Sequence, residues 1–319
     1  LSNFGQHNFS ERELRLRIAR VIRPSGWIEN DEHGKEQKST MSSIQLGVLA
    51  RLEAEPEQVL QEVRALRFPT CQVSTGQGHP LDEASADRLR SAASAAGVEI
   101  STIWATLPGR HVWDFLEGPT TIGLVPEATR AERLAVLKRS ADFAVRVGVP
   151  SITTHVGFIP ENPPDPAYLP VVEALREIAV YCAERGLQFW FETGQETPIT
   201  LLRTIEAIGT DNLGINLDPA NLLMYGRGNP VDALDVFGKY VRGVHAKDGE
   251  YPTNGRQLGV EKPLGQGRVN FPALLAKLKA LGFSGALTIE REISGPQQIA
   301  DIKQGKQLLE QILRDLDWA

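Results

Sequence analysis

Cysteine, long apolar runs and excess positive charge are all scarce in this sequence, and each scarcity removes a class of protein. Cys71 and Cys182 are the only two cysteines, and neither belongs to a CxxC or CxxH pattern, so a disulfide framework and a structural zinc knot both drop out. No apolar stretch approaches the roughly 20 residues that cross a bilayer, and the first residues contain no signal-peptide h-region. The expected setting is a reducing cytoplasm with no membrane partner. Lys and Arg number 34 against 40 Asp and Glu, and the formal net charge of -6 argues against a general binder of nucleic acid or anionic membrane. A GxGxxG after the first strand-like run is also missing, which counts against a doubly wound dinucleotide fold. What remains is a chain of 319 residues, 41% hydrophobic and 23% charged, with the profile of a soluble globular protein. Its length supports an ample core in one large α/β domain or two ordinary ones.

Residues 1–40 differ from everything that follows. The segment "SGWIENDEHGKEQKST" is polar and charged, with no sustained period of 2 or 3.6. Residues 1–40 are therefore read as an N-terminal extension, poorly structured or forming one short helix over "SERELRLRIARVI" capped by Ser10. At Met41 the text changes to "MSSIQLGVLARLE", which reads like a protein start followed at once by a strand.

From there strand and helix signals alternate. Strand-like runs fall at 44–50, 68–75, 97–105, 150–157, 187–193, 213–218, 241–246 and 286–292. Amphipathic stretches lie between and after them, at 56–66, 132–148, 171–186 and 271–282, several closing on Gly. Eight such units over residues 41–319 predict an α/β fold, a single-domain (β/α)8 TIM barrel, which typically takes about 250 residues.

The period of two then says which side chains point inward. In "LQFWFE", Glu192 shares a face with Trp190 while Phe189 and Phe191 take the other. Asp218 aligns with Asn216 and Gly214, His245 with Gly243, and Glu290 with Thr288 and Ala286. Glu192, Asp218, His245 and Glu290 thus stand at the C-terminal ends of the last four strands, the catalytic face of such a barrel. One acid in such a place need do no more than cap the next helix. Three carboxylates and an imidazole converging there repel one another unless a cation compensates them. Oxygen-rich ligation with one His suits Mn²⁺, Mg²⁺ or Co²⁺, with Zn²⁺ also allowed.

The motifs "FETGQE", "NLDPAN", "VHAKD", "PLGQGRVNF" and "LTIERE", in that order, make the chain from Met41 onward resemble the sugar phosphate isomerase/epimerase family of xylose-isomerase-like TIM barrels. The resemblance implies that Glu192, Asp218, His245 and Glu290 bind the divalent metal and that Glu192 and Glu290 are the acid/base pair. Many relatives carry His three residues after the ligand Asp, whereas this chain has Asn221, which cannot change charge near neutral pH. A multinuclear zinc nuclease would need more His than the chain provides.

The expected chemistry is proton removal from carbon next to a carbonyl, through a metal-stabilised enediolate. Return of the proton to the opposite face gives an epimerase, and return to the adjacent carbon gives an isomerase. Expulsion of a hydroxyl gives a dehydratase, the lyase alternative, and a non-catalytic sugar-binding barrel is the other. The expected partner is a small polyhydroxylated carbonyl substrate, and a homo-oligomer is allowed. Expected substrate contacts are His155, Glu196, Asn221, Lys247, Asp248 and Trp113, with a core His, a helix start, the orienting of a metal ligand, a solvated ion pair and simple loop packing as the respective alternatives, the ion pair standing for Lys247 and Asp248 together. Trp113 and Phe115 lie in a long loop, 107–126, read as a lid that stacks on a sugar face, with loop packing as the alternative. "PLGQGR" offers a phosphate grip, with a glycine turn before a helix capped by Asn270 as the alternative.

Overall fold

The computed structural model describes residues 44–53 and 55–318, so the extension expected over 1–40 and the change at Met41 lie outside the described residues. Eight parallel strands close a barrel: β1 (Leu46–Arg51), β2 (Thr70–Ser74), β3 (Glu99–Trp104), β4 (Ser151–Thr154), β5 (Gln188–Glu192), β6 (Leu213–Leu217), β7 (Val241–Ala246) and, after a two-residue ribbon of β8 (Asp248–Gly249) and β9 (Glu261–Lys262), β10 (Leu287–Ile289). Each of β1 to β6 lies beside its successor, and β10 pairs with both β7 and β1. Helices cover the outside, the longer ones being α1 (Pro56–Ala65), α2 (Glu83–Ala96), α3 (Glu127–Val147), α4 (Tyr168–Ala183), α5 (Pro198–Ile208), α6 (Phe271–Ala280) and α7 (Pro296–Asp315). The (β/α)8 expectation holds, with helix boundaries shifted by a few residues from the periodic stretches.

Local chemistry explains where the helices begin and end. Asp82 caps α2 by accepting the Ser85 N–H at 2.8 Å, and Gly97 ends it in the left-handed region at φ 64°, where a Cβ would be strained. Thr197 caps α5 with Pro198 in its first turn, and Asn270 caps α6 by accepting from Ala273.

The strand faces divide as the period of two requires. Val73, Ile103, Ile152, Phe189, Phe191, Ile215, Leu217, Val244, Leu287 and Ile289 are buried beneath the helices. The inward face instead carries Gln72, Thr102, Thr153, Trp190, Asn216, His245 and Thr288, all buried as well. Polar groups there must find partners inside the barrel or leave costly orphans. Above this interior lies the loop 107–126, which includes a short helical turn, Gly118–Thr121. It is pinned from below by Arg133, which is 1% exposed and donates to the carbonyls of Pro108, Gly123 and Arg110.

Candidate metal centre and active site

The four expected ligands meet at the C-terminal mouth of the barrel. Glu192 ends β5, Asp218 follows β6, His245 is next to last in β7, and Glu290 follows β10. One ligand atom from each lies within 4.8 Å of all the others, and all four residues are buried. His245 Nδ1 is 3.1 Å from Glu192 Oε1 and 2.9 Å from Glu290 Oε2, while Nε2 faces away, 2.7 Å from Gln72 Oε1. Asp218 serves two purposes. Its Oδ1 accepts the Asn221 N–H at 2.8 Å, capping the short helix Pro219–Met224, and its Oδ2 is buried without a hydrogen-bond partner. A buried carboxyl oxygen with no hydrogen-bond partner is the kind of atom a cation satisfies.

Lys247 extends the cluster. Its ammonium is buried, 2.7 Å from Glu292 Oε1, 3.3 Å from Asn221 Oδ1, 3.5 Å from Asp218 Oδ2 and 3.7 Å from Glu290 Oε2. Glu192, Asp218, Glu290 and Glu292 bring four carboxyl groups to this one ammonium, an excess of negative charge that a divalent cation at the four ligands would offset. The residues present therefore fit such an ion. The electrostatics follow from the same contacts. Burial pushes the Asp218 carboxyl up to about 8, more than Lys247 and His245 draw it down. For Glu290 burial is outweighed by Lys247 and His245, which hold its carboxyl well below the usual range. For Glu192 burial is outweighed by His155 and His245, and its carboxyl is also lowered. Burial opposes the charged forms of His245 and Lys247, but the surrounding carboxylates raise both well above their ordinary values.

A cavity of about 600 Å³ opens onto this cluster. Glu192 and Glu290 line it, whereas Asp218 and His245 lie behind them with no exposed surface. His155, Asn221 and Trp113 line it too. His155 Nε2 is 3.4 Å from Glu192 Oε1, and its ring meets Trp113 edge-on at a centroid distance of 5.3 Å. Trp113 is 46% exposed at the rim and stacks on His111.

Two expectations need correction. Asp248 is not turned to the cavity: Oδ1 accepts from the Gly249 and Val269 amides and Oδ2 from those of Gly265 and Gly267, at 2.8 to 3.0 Å. Its carboxylate holds the "PLGQGR" turn in shape, and because those amides already have their acceptor, the turn is no phosphate grip. Glu196 does not line the cavity either. The chain leaves the sheet after Glu192, and the Glu196 carboxyl ends up buried with both oxygens unpartnered, raised to about 8 by that burial.

Two residues escaped the sequence reading. The Trp104 indole, at the end of β3, donates to Glu192 Oε2, and Gln72 on β2 meets His245. Both obey the parity that exposed the ligands. Gln72 alternates with the outward Cys71 and Val73, but an uncharged residue on an early strand gave no chemical signal.

Comparison with known proteins agrees with this architecture. A solved xylose isomerase domain protein from Planctomyces limnophilus is 36% identical, covers 86% of this chain and 99% of its own, and superposes with a TM-score of 0.82. A D-tagatose 3-epimerase-like protein, 21% identical, shares the fold with a TM-score of 0.65 over 86% of this chain and 98% of its own. The uncharacterized protein MJ1311 of Methanocaldococcus jannaschii is 26% identical over 200 residues, and the match spans 59% of this chain and 64%, just under two thirds, of that relative. The family model described as "Xylose isomerase-like TIM barrel" matches residues 60–312, and the chain belongs to that family.

Proposed function

We propose that the protein is a divalent-metal-dependent isomerase or epimerase acting on a small polyhydroxylated carbonyl compound. The observation that carries this reading is the division within the cluster: Glu192 and Glu290 line the cavity while Asp218 and His245 stand behind them. A site built only to hold a sugar has no need of an acid/base pair. Glu192, Asp218, His245 and Glu290 would hold the ion, and the ligand set of three carboxylates and one imidazole suits Mn²⁺, Mg²⁺ or Co²⁺, with Zn²⁺ compatible. Such an ion supplies Lewis-acid polarisation of a carbonyl oxygen and compensates negative charge developing beside it.

The protein's own residues do the rest. Glu192 and Glu290 are both lowered by the groups around them and so are held as carboxylates, the form that can accept the proton on carbon next to the carbonyl. Trp104 fixes one oxygen of Glu192, which leaves the other beside His155 and His245. On the cavity wall the Asn221 amide offers a donor to substrate oxygens and Trp113 an apolar face to sugar C–H groups, while the Lys247 ammonium stands behind Asn221 and steadies the carboxylates. The relationship to a D-tagatose 3-epimerase-like fold supports an enzyme of this general kind.

Glu192→Gln and Glu290→Gln keep the volume and remove the base. Each variant, assayed with candidate ketoses at saturating Mn²⁺ in deuterated water, is expected to lose net conversion by about a hundredfold or more. Deuterium entering substrate carbon identifies proton transfer, while loss of water would identify a lyase instead. Wild-type rates in both variants would refute the two-glutamate reading.

A further inference from the structure

Gln72 bridges two inward side chains across the barrel interior. Its Oε1 lies 2.7 Å from His245 Nε2, and its Nε2 donates to Asn216 Oδ1 at 2.8 Å. The three residues are 0 to 1% exposed, so no water competes for these bonds. An amide oxygen only accepts, so His245 carries its proton on Nε2 in this arrangement. Nδ1 is then the nitrogen that faces Glu192 and Glu290, at 3.1 and 2.9 Å.

We infer that Gln72 is a positioning residue of the metal centre: anchored by Asn216, it fixes the ring plane and the tautomer of His245, so that Nδ1 is the atom offered to the cation. This rests on the reading of Glu192, Asp218, His245 and Glu290 as the ligands. The surroundings support a built arrangement: Gly243, two residues before His245 on β7, leaves the space, since a Cβ there would come within 2.6 Å of Asn216 Oδ1 and 3.4 Å of Gln72 Nε2. Outer hydrogen bonds of this kind hold the ligand ring in place and raise its basicity.

The test measures Mn²⁺ binding by calorimetry and the visible spectrum of the Co²⁺ form, neither of which depends on knowing the substrate. Gln72→Met keeps an unbranched side chain of similar length but cannot accept a hydrogen bond. It is expected to weaken Mn²⁺ binding about 10- to 100-fold and to shift the Co²⁺ bands. Gln72→Glu still accepts from Nε2–H, and Asn216 can turn its unpartnered Nδ2 toward the new carboxylate. It is expected to bind Mn²⁺ at least as tightly as the parent protein. Parental affinity and spectrum in Gln72→Met overturn the inference, as does a loss in Gln72→Glu of about tenfold or more. If Gln72→Met does not fold, Gln72→Glu decides alone by that second criterion. The parent protein and Asp218→Ala are titrated alongside. Failure of the parent to bind Mn²⁺, or full binding by Asp218→Ala, sinks the metal-centre reading itself and is told apart from a failure confined to Gln72.

Discussion

Glu196→Gln should make the protein more stable in mild alkali and leave it unchanged in acid. Glu196 is 1% exposed, neither carboxyl oxygen has a hydrogen-bond partner, and burial raises its pKa from 4.5 to about 8. The folded protein therefore keeps a proton that the unfolded chain releases between pH 4.5 and about 8. Because the folded state binds more protons in that window, stability falls as pH rises through it, and the loss is complete above the folded-state value. At 1.36 kcal/mol per unit, the cost reaches roughly 3 kcal/mol at pH 7 and between about 4 and 5 kcal/mol above pH 8. Gln cannot ionise and does not carry this penalty. The assay is thermal or urea unfolding of both proteins from pH 4.5 to 8.5, read as the difference between them so that other titrating groups cancel. The two should agree near pH 4.5, and the variant should gain steadily, by several degrees in Tm at pH 8 for a domain of this size. Parallel curves across the whole range would show that Glu196 does not hold its proton in the fold, and the account of its burial would be wrong.

Asp218→Ala and His245→Ala should each abolish tight metal binding while the purified proteins keep their circular dichroism, with elemental analysis as the measurement. Gly243→Ala places a methyl within 2.6 Å of Asn216 Oδ1 and should cost about 1 to 3 kcal/mol in urea unfolding, with weaker Mn²⁺ binding alongside. Trp113→Ala removes a side chain that is 46% exposed, so Tm should hold while KM for the substrate rises, a split that steady-state kinetics resolves. Asp248→Ala leaves the amides of Gly249, Gly265, Gly267 and Val269 without their acceptor and should lower stability by several kcal/mol, seen in urea unfolding.

The barrel and the convergence of its four candidate ligands were legible because a strand's period of two converts sequence position into direction. Phe189 and Phe191 face out and Glu192 faces in for the same reason that Ile215 and Leu217 face out while Asn216 faces in. That rule holds only while the chain stays in the sheet. Glu196 lies beyond the end of β5, where alternation no longer says where a side chain points, and the expectation of a substrate contact failed there. Asp248 failed for a different reason. Its partners are backbone amides 17 to 21 residues further along, apart from its neighbour Gly249, and amides have no letter in the sequence. Gln72 obeyed the rule and was still overlooked, because its partners His245 and Asn216 are 173 and 144 residues away.

The same geometry explains why an asparagine can stand at 221, where the family resemblance leads one to expect His. The position lines the cavity, three residues after Asp218, and its neighbour is the Lys247 ammonium, 3.3 Å from Asn221 Oδ1. An imidazole there would face a buried cation, which opposes its protonation and leaves it one lone pair with which to accept. An amide oxygen has two lone pairs and no charge to lose, and its NH₂ remains free to donate. Asn221 and Lys247 thus work as a pair: the lysine supplies the positive charge, and the asparagine steadies it against Asp218, Glu290 and Glu292. The positive charge therefore comes from the residue after β7 rather than from the helix after β6, and it sits beside Asp218 and Glu290 as a compact ammonium that keeps its proton across the neutral range, in place of a ring that titrates within it.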